Sequence, residues 1–128
     1  MSDLPGDRHY TKDHEWAREQ DGRIVVGITH YAQDQLGDVV FVGLPEPGSE
    51  VSAGEPLGEV ESTKSVSDVY SPVSGKVLEK NAEVEQSPEL INSDPYGQGW
   101  LVSIEPSGEP KDLLTAEEYK VFIDEADA

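Results

Sequence analysis

Residues Val60 to Gly75 read VESTKSVSDVYSPVSG, with Lys64 standing between Thr63 and Ser65. If Val60-Glu61 and Val66-Ser67 continue into paired strands, Ser62-Thr63-Lys64-Ser65 is the turn that joins them, and Lys64 is at its tip. Hydroxyl side chains suit such a turn because they bond nearby backbone groups. A lysine held there offers its amine to a modifying enzyme while its backbone stays fixed. Taken alone, a turn lysine is ordinarily a solvated surface group, so the rest of the chain must decide between the two readings.

Outward from this hairpin the chain reads as short strands broken by turn residues. Trp16 to Gln20, Asp21-Gly22 and Arg23 to Ile28 form a hairpin pattern, since Asp-Gly supplies the positive φ angles of a two-residue turn. A helical turn is expected over Thr29 to Leu36: Thr29 caps it, Tyr31 with Gln35 and Ala32 with Leu36 share faces, and Gly37 ends it. Val39 to Leu44 is a β-rich run closed by Pro45-Glu46-Pro47-Gly48. Further strands are expected around Pro56 to Glu61, Val66 to Tyr70, Gly75 to Lys80 and Leu101 to Ile104. That spacing predicts a mainly β sandwich or flattened barrel of antiparallel strands.

Two more patterns bear on the architecture. Lys111 to Ala128 changes character: Thr115-Ala116-Glu117-Glu118 is a capping box, and Tyr119, Phe122 and Ile123 follow at helical spacing. A C-terminal helical segment over about 111–126 is expected to pack by an aromatic face, with Tyr119 and Phe122 as core residues. Gly48, Val51, Gly54 and Leu57 also recur as Asn81, Val84, Ser87 and Leu90, each displaced by 33 residues. Because Gly and Asn both tolerate left-handed turns, this predicts two like β-units related by a pseudo-twofold axis, with Lys64 in the segment that links them.

Composition narrows the function. The 128 residues suit one domain, and an apolar content of 35% suffices for a single core. Nine Lys and Arg against 27 Asp and Glu give a net charge of −18. Nucleic acid and anionic membranes are therefore excluded as expected partners, because both need a basic footprint. The acidity fits docking onto basic protein surfaces and equally a salt-adapted, solubilising surface. With no cysteine, thiol chemistry has to come from an added group. No signal or transit pattern opens the chain and no apolar run is long enough to span a bilayer, which predicts a soluble cytoplasmic protein. His9 and His14 are five apart on an extended or irregular segment, and with His30 they do not make a metal-ligand motif. No metal is expected.

The motif Glu61-Ser62-Thr63-Lys64-Ser65-Val66-Ser67-Asp68, followed by Ser71-Pro72-Val73-Ser74-Gly75, resembles the H-protein family of the glycine cleavage system. Matching stretches run through nearly the whole chain: YTKDHEW at Tyr10 to Trp16, Gly27-Ile28-Thr29, Tyr31-Ala32-Gln33, Leu36-Gly37, Val39 to Pro45, LINSDPYGQGW at Leu90 to Trp100, and the final Glu-Tyr helix. The resemblance implies a barrel-sandwich hybrid of two antiparallel sheets and a carrier rather than an enzyme. It implies lipoate in amide linkage to Lys64, attached by lipoylating enzymes. The partners implied are the P-protein, a glycine decarboxylase that loads an aminomethyl group; the T-protein, an aminomethyltransferase that takes it; and the L-protein, a dihydrolipoamide dehydrogenase that restores the disulfide.

Elementary chemistry accounts for a lysine in that role. Roughly a dozen bonds separate its Cα from a lipoyl sulfur, a reach on the order of 14 Å. Acylation removes the charge, making the chain one unit more negative than −18 and the tether largely apolar. A loaded aminomethyl group is open to hydrolysis, so a carrier is expected to shelter the arm and to offer the ammonium a carboxylate. On the resemblance, Glu15 and Asp68 are the candidates for that sheltering cleft. Many relatives have histidine where Gln35 stands, so no histidine role carries over. Biotin carriers set Met on both sides of the lysine, where this chain has Thr63 and Ser65, and oxoacid dehydrogenase lipoyl domains usually have Asp before it. Two alternatives stay open: an H-like lipoyl relay serving other enzymes, and an interaction module whose Lys64 is never modified.

Overall fold

A computed structural model describes residues 4–108 and 113–126. Two antiparallel sheets face each other without closing into a barrel. The larger has the order β1-β2-β3-β9-β8-β5, formed by His9–Tyr10, Glu15–Gln20, Arg23–Ile28, Val102–Pro106, Gly75–Lys80 and Glu50–Val51; the smaller has the order β4-β6-β7, formed by Val39–Gly43, Pro56–Ser62 and Val66–Tyr70. Alternation along the strands sends Ile24, Val26, Val42, Val60, Val77, Val102 and Ile104 into the space between the sheets, where they make one core.

Local chemistry fixes the joints. Asp21 and Gly22 take φ of 54° and 83°, the left-handed pair that lets β2 turn directly into β3. Thr29 caps α1 (His30–Leu36) through its Oγ1, which accepts from the Ala32 N–H at 3.1 Å. Gly37 ends α1 at a φ of 84°. The capping box of α4 (Ala116–Ala126) is reciprocal: Thr115 N–H donates to Glu118 Oε1 at 2.9 Å, and Glu118 N–H to Thr115 Oγ1 at 3.2 Å. The helix thus starts at Ala116, directly after the expected cap at Thr115; of the segment expected over about 111–126, residues 111 and 112 lie outside the described residues. Leu114 instead bridges to Tyr10.

Beneath α4 lies a second apolar cluster on the outer face of the large sheet, built on Tyr10, Trp16, Val25 and Tyr119. Tyr119 is fully buried and stacks on Tyr10 with ring centroids 5.0 Å apart, while Phe122 is half-buried against the same cluster. Both therefore serve packing. The 33-residue recurrence does not produce two like β-units. Its first copy runs from β5 to β6, but its second lies on α2 (Ala82–Gln86) and α3 (Leu90–Ser93). Asn81 is not left-handed either; at a φ of −86° its side chain caps α2, which lets the following residues coil and turns Val84 inward.

Gly27, on β3 opposite Trp16, leaves room for the buried indole: a Cβ there would lie 2.5 Å from Trp16 Cζ2. Gly27→Ala is expected to destabilise the fold by about 1–3 kcal/mol, as overpacking does. Urea denaturation measures it, and an unchanged midpoint would mean the indole is free to move.

Candidate functional site

The four residues between β6 and β7 form the expected turn, and Glu61 and Val66 are the last paired residues before it. Ser62 organises the turn. Its N–H donates to Ser65 O at 2.8 Å, and its Oγ accepts from Lys64 N–H and Ser65 N–H, both at 3.1 Å. Thr63 N–H donates to Asp38 O at 3.1 Å, so the tip is also tied to the segment leaving α1. Lys64 is exposed. Its stem lies across Gly37, close enough that a Cβ there would be 3.1 Å from Lys64 Cε. Among the described residues its ammonium has no ion pair.

Beside this turn opens a cleft of about 450 Å³, lined by Ser65 and Val66 at the hairpin end. One wall is the face of α1 that carries Tyr31, Ala32, Gln35 and Leu36, the two pairs expected to share a face. The other is β7, and Ile28 and Val60 supply apolar surface.

Glu15 also lines this cleft and is only 2% exposed. It begins β2, where the register pairs it with Ile28. Its Oε1 accepts from Thr11 Oγ1 at 2.7 Å and its Oε2 from the Tyr70 N–H at 3.1 Å. Burial pushes its pKa up to about 7, with the two hydrogen bonds opposing the rise and Asp13 adding to it. Asp68 borders the same cleft from β7 but is exposed, with Glu59 as its cross-strand partner. It also borders a shallower depression with Glu59 and Gly43. The two carboxylates thus occupy unlike surroundings along one cleft.

Residues that sequence reasoning did not assign to the site hold this arrangement. Thr11, four residues before Glu15, was legible only as part of a matching stretch. Tyr119 reaches from α4 to within 2.8 Å of both His14 Nδ1 and Thr29 Oγ1, tying the C-terminal helix to the cap of α1. Asn92 on α3 closes the other end of α1: its Nδ2 donates to Gln33 Oε1 at 2.8 Å and to Gly37 O at 2.9 Å. The three histidines are apart in role. His9 is exposed on β1, His14 sits among Tyr31, Tyr119 and Phe122, and His30 contacts Gln33. Among the described residues no group of three or more His, Asp and Glu could hold a metal ion, and no helix is long and apolar enough to cross a membrane.

The family model of the glycine cleavage H-protein matches residues 8–126. This chain belongs to that family. It is 57% identical over 125 residues to the glycine cleavage system H protein of Rubrobacter xylanophilus, with 98% of each chain covered. It is 52% identical over 122 residues to that of Oceanobacillus iheyensis, covering 94% of this chain and 97% of the other. The crystal structure of a glycine cleavage system H protein from Mycobacterium marinum superposes with a TM-score of 0.91 at 50% identity, over 94% of this chain and 99% of that one. The fold is therefore an H-protein fold: mainly β, two antiparallel sheets, short helices and a C-terminal helix.

In this family member the raised pKa of Glu15 has a sign that can be measured. The folded state holds the proton more tightly than the unfolded chain, whose carboxyl has the ordinary value of 4.5. The contribution is complete below that value and is lost as pH rises to about 7. Relative to Glu15→Gln, the native protein is expected to lose on the order of 3 kcal/mol of stability across that window. Urea denaturation at a series of pH values measures the difference; one that stays constant rules out a shifted Glu15.

Proposed function

We propose that the chain is a single lipoyl-carrier domain, residues 1–128, of a cytoplasmic glycine cleavage system, with lipoate in amide linkage to Lys64. The observation that carries this reading is an exposed amine, without an ion pair among the described residues, on a pinned hairpin next to a cleft with apolar walls and one buried carboxylate. Family membership supports the same reading. The protein is a carrier and not an enzyme. It takes an aminomethyl group from the P-protein to the T-protein and is returned to the disulfide form by the L-protein.

The residues fit the group they would hold. Lys64 supplies the amide nitrogen, and Ser65 and Val66 lead from it directly along the cleft. Lipoate supplies the dithiol that a cysteine-free chain lacks. Ala32, Leu36, Ile28 and Val60 offer an apolar lining that excludes water from an arm laid against it. Glu15, whose oxygens each retain accepting capacity beyond the bonds from Thr11 and Tyr70, receives the cargo's ammonium. Asp68, exposed at the rim, is its candidate companion. Ser62 and Thr63 hold the root of the arm still, so that only the side chain moves.

Intact-mass measurement of protein from a lipoate-competent host is expected to show one added lipoyl group, absent from Lys64→Arg. An unmodified native protein instead supports the interaction module. Glycine decarboxylation reconstituted with P-protein separates a glycine cleavage carrier from an H-like relay, which would be lipoylated but inactive there. Glu15→Ala is expected to shorten the lifetime of the loaded arm while leaving lipoylation intact; an unchanged lifetime takes Glu15 out of the sheltering role.

A further inference from the structure

Only Gly37 and Asp38 separate the end of α1 from the start of β4, a joint too short to pair its own polar groups. The side chain of Asn92, on α3, serves both sides of it. Its Oδ1 accepts from the Val39 N–H at 2.9 Å, and its Nδ2 donates to Gly37 O at 2.9 Å and to Gln33 Oε1 at 2.8 Å. One amide thus grips the residue before Asp38 and the residue after it. Reversing that amide would set N–H against N–H and oxygen against oxygen, so its orientation is fixed.

The Lys64 turn leans on the same joint at two points. Thr63 N–H donates to Asp38 O at 3.1 Å, and the Lys64 stem passes so close to Gly37 that a Cβ there would lie 3.1 Å from Lys64 Cε. The bonds that Ser62 Oγ accepts within the turn fix its shape and not its place, because they would survive if the whole tip swung on β6 and β7. Its place against α1 is set by Asp38 O. Asp38 is itself exposed, so what holds its carbonyl still is the grip on Gly37 and Val39. Asn92 lines no part of the cleft.

We infer that Asn92 is a positioning residue for the arm: by gripping Gly37 and Val39 it sets where the root of Lys64 stands relative to the α1 wall and Glu15, without touching the arm or its cargo. The effect on the cargo rests on the carrier role proposed above, whereas the placing of the turn does not. A tether carries the displacement of its root, and a shift of about 1 Å is enough to break a hydrogen bond between ammonium and carboxylate.

Asn81 supplies a matched control. Its side chain also accepts one bond and donates two, from Glu83 N–H at 3.1 Å and to Gln98 O at 2.8 Å and Trp100 O at 2.7 Å, and none of those residues lines the cleft. Two measurements on the full chain test the inference. By 15N relaxation, the native backbone at Thr63 and Lys64 is expected to be as rigid as the strands, with order parameters of about 0.85, and to loosen towards about 0.6 in Asn92→Ala but not in Asn81→Ala. In lipoylated protein loaded from glycine by P-protein, intact mass is expected to show the aminomethyl adduct decaying roughly tenfold faster in Asn92→Ala than in the native protein or Asn81→Ala, the loss of one hydrogen bond to a charged group. Adduct lifetimes that fall alike in both variants reflect a general loss of stability and overturn the inference. So does an unmoved turn or a native lifetime in Asn92→Ala. Native order parameters below about 0.6 at Thr63 and Lys64 overturn it without any variant, so a variant that fails to fold does not protect it. A native chain that takes no lipoyl group overturns the carrier role instead, and the relaxation measurement then decides the placing of the turn.

Discussion

The contact between the Glu15 carboxylate and the Tyr70 N–H joins the two sheets at the place where the candidate site opens. β7 is an edge strand of the three-stranded sheet, so its outward N–H groups need acceptors from elsewhere. Glu15 provides one from the first residue of β2, and Thr11 fixes the other carboxylate oxygen. A buried carboxylate is costly unless it is bonded, and two donors meet that cost only in part, which is why the acid holds its proton to near neutral pH. A cation entering the cleft drives such a group toward its ionised form.

Around that contact the chain builds stiffness where motion would misplace the amine. α1 is held at both ends, by Thr29 with Tyr119 at its start and by Gly37 with Asn92 at its finish. The Lys64 turn is fastened to the same stretch through Asp38. The hydrogen-bonded turn leaves the exposed Lys64 side chain standing out from a fixed backbone. The aromatic cluster under α4 serves the same end at a distance, because Tyr119 belongs both to that cluster and to the cap of α1.

The charge distribution bears on what can dock on this chain. Lys64 stands exposed in a chain with 27 acidic residues against nine Lys and Arg, so its amine is a positive group on a strongly negative molecule. Such a surface favours partners with basic docking faces. On the large sheet, Arg18 and Arg23 make a second positive group, beside Asp21 and Glu79.

Most local structure was legible in the sequence because short-range chemistry decides it. Asp21-Gly22 selects a two-residue turn, Thr29 and Gly37 delimit α1, Ser62 to Ser65 closes on itself, and Thr115 with Glu118 starts α4. These choices depend on neighbours within a few residues, and so did the placing of Lys64 at a turn tip. β1 and β5, two residues each, carry no periodicity to read. The recurrence at Asn81 misled because matching residue types do not carry backbone conformation, and a capping side chain coils what a glycine would turn. Burial of Glu15 and exposure of Asp68 were beyond the sequence, in which both are acids among many. Only the tertiary fold brings position 15 against position 70, because which carboxylate loses its water is set by strands distant along the chain.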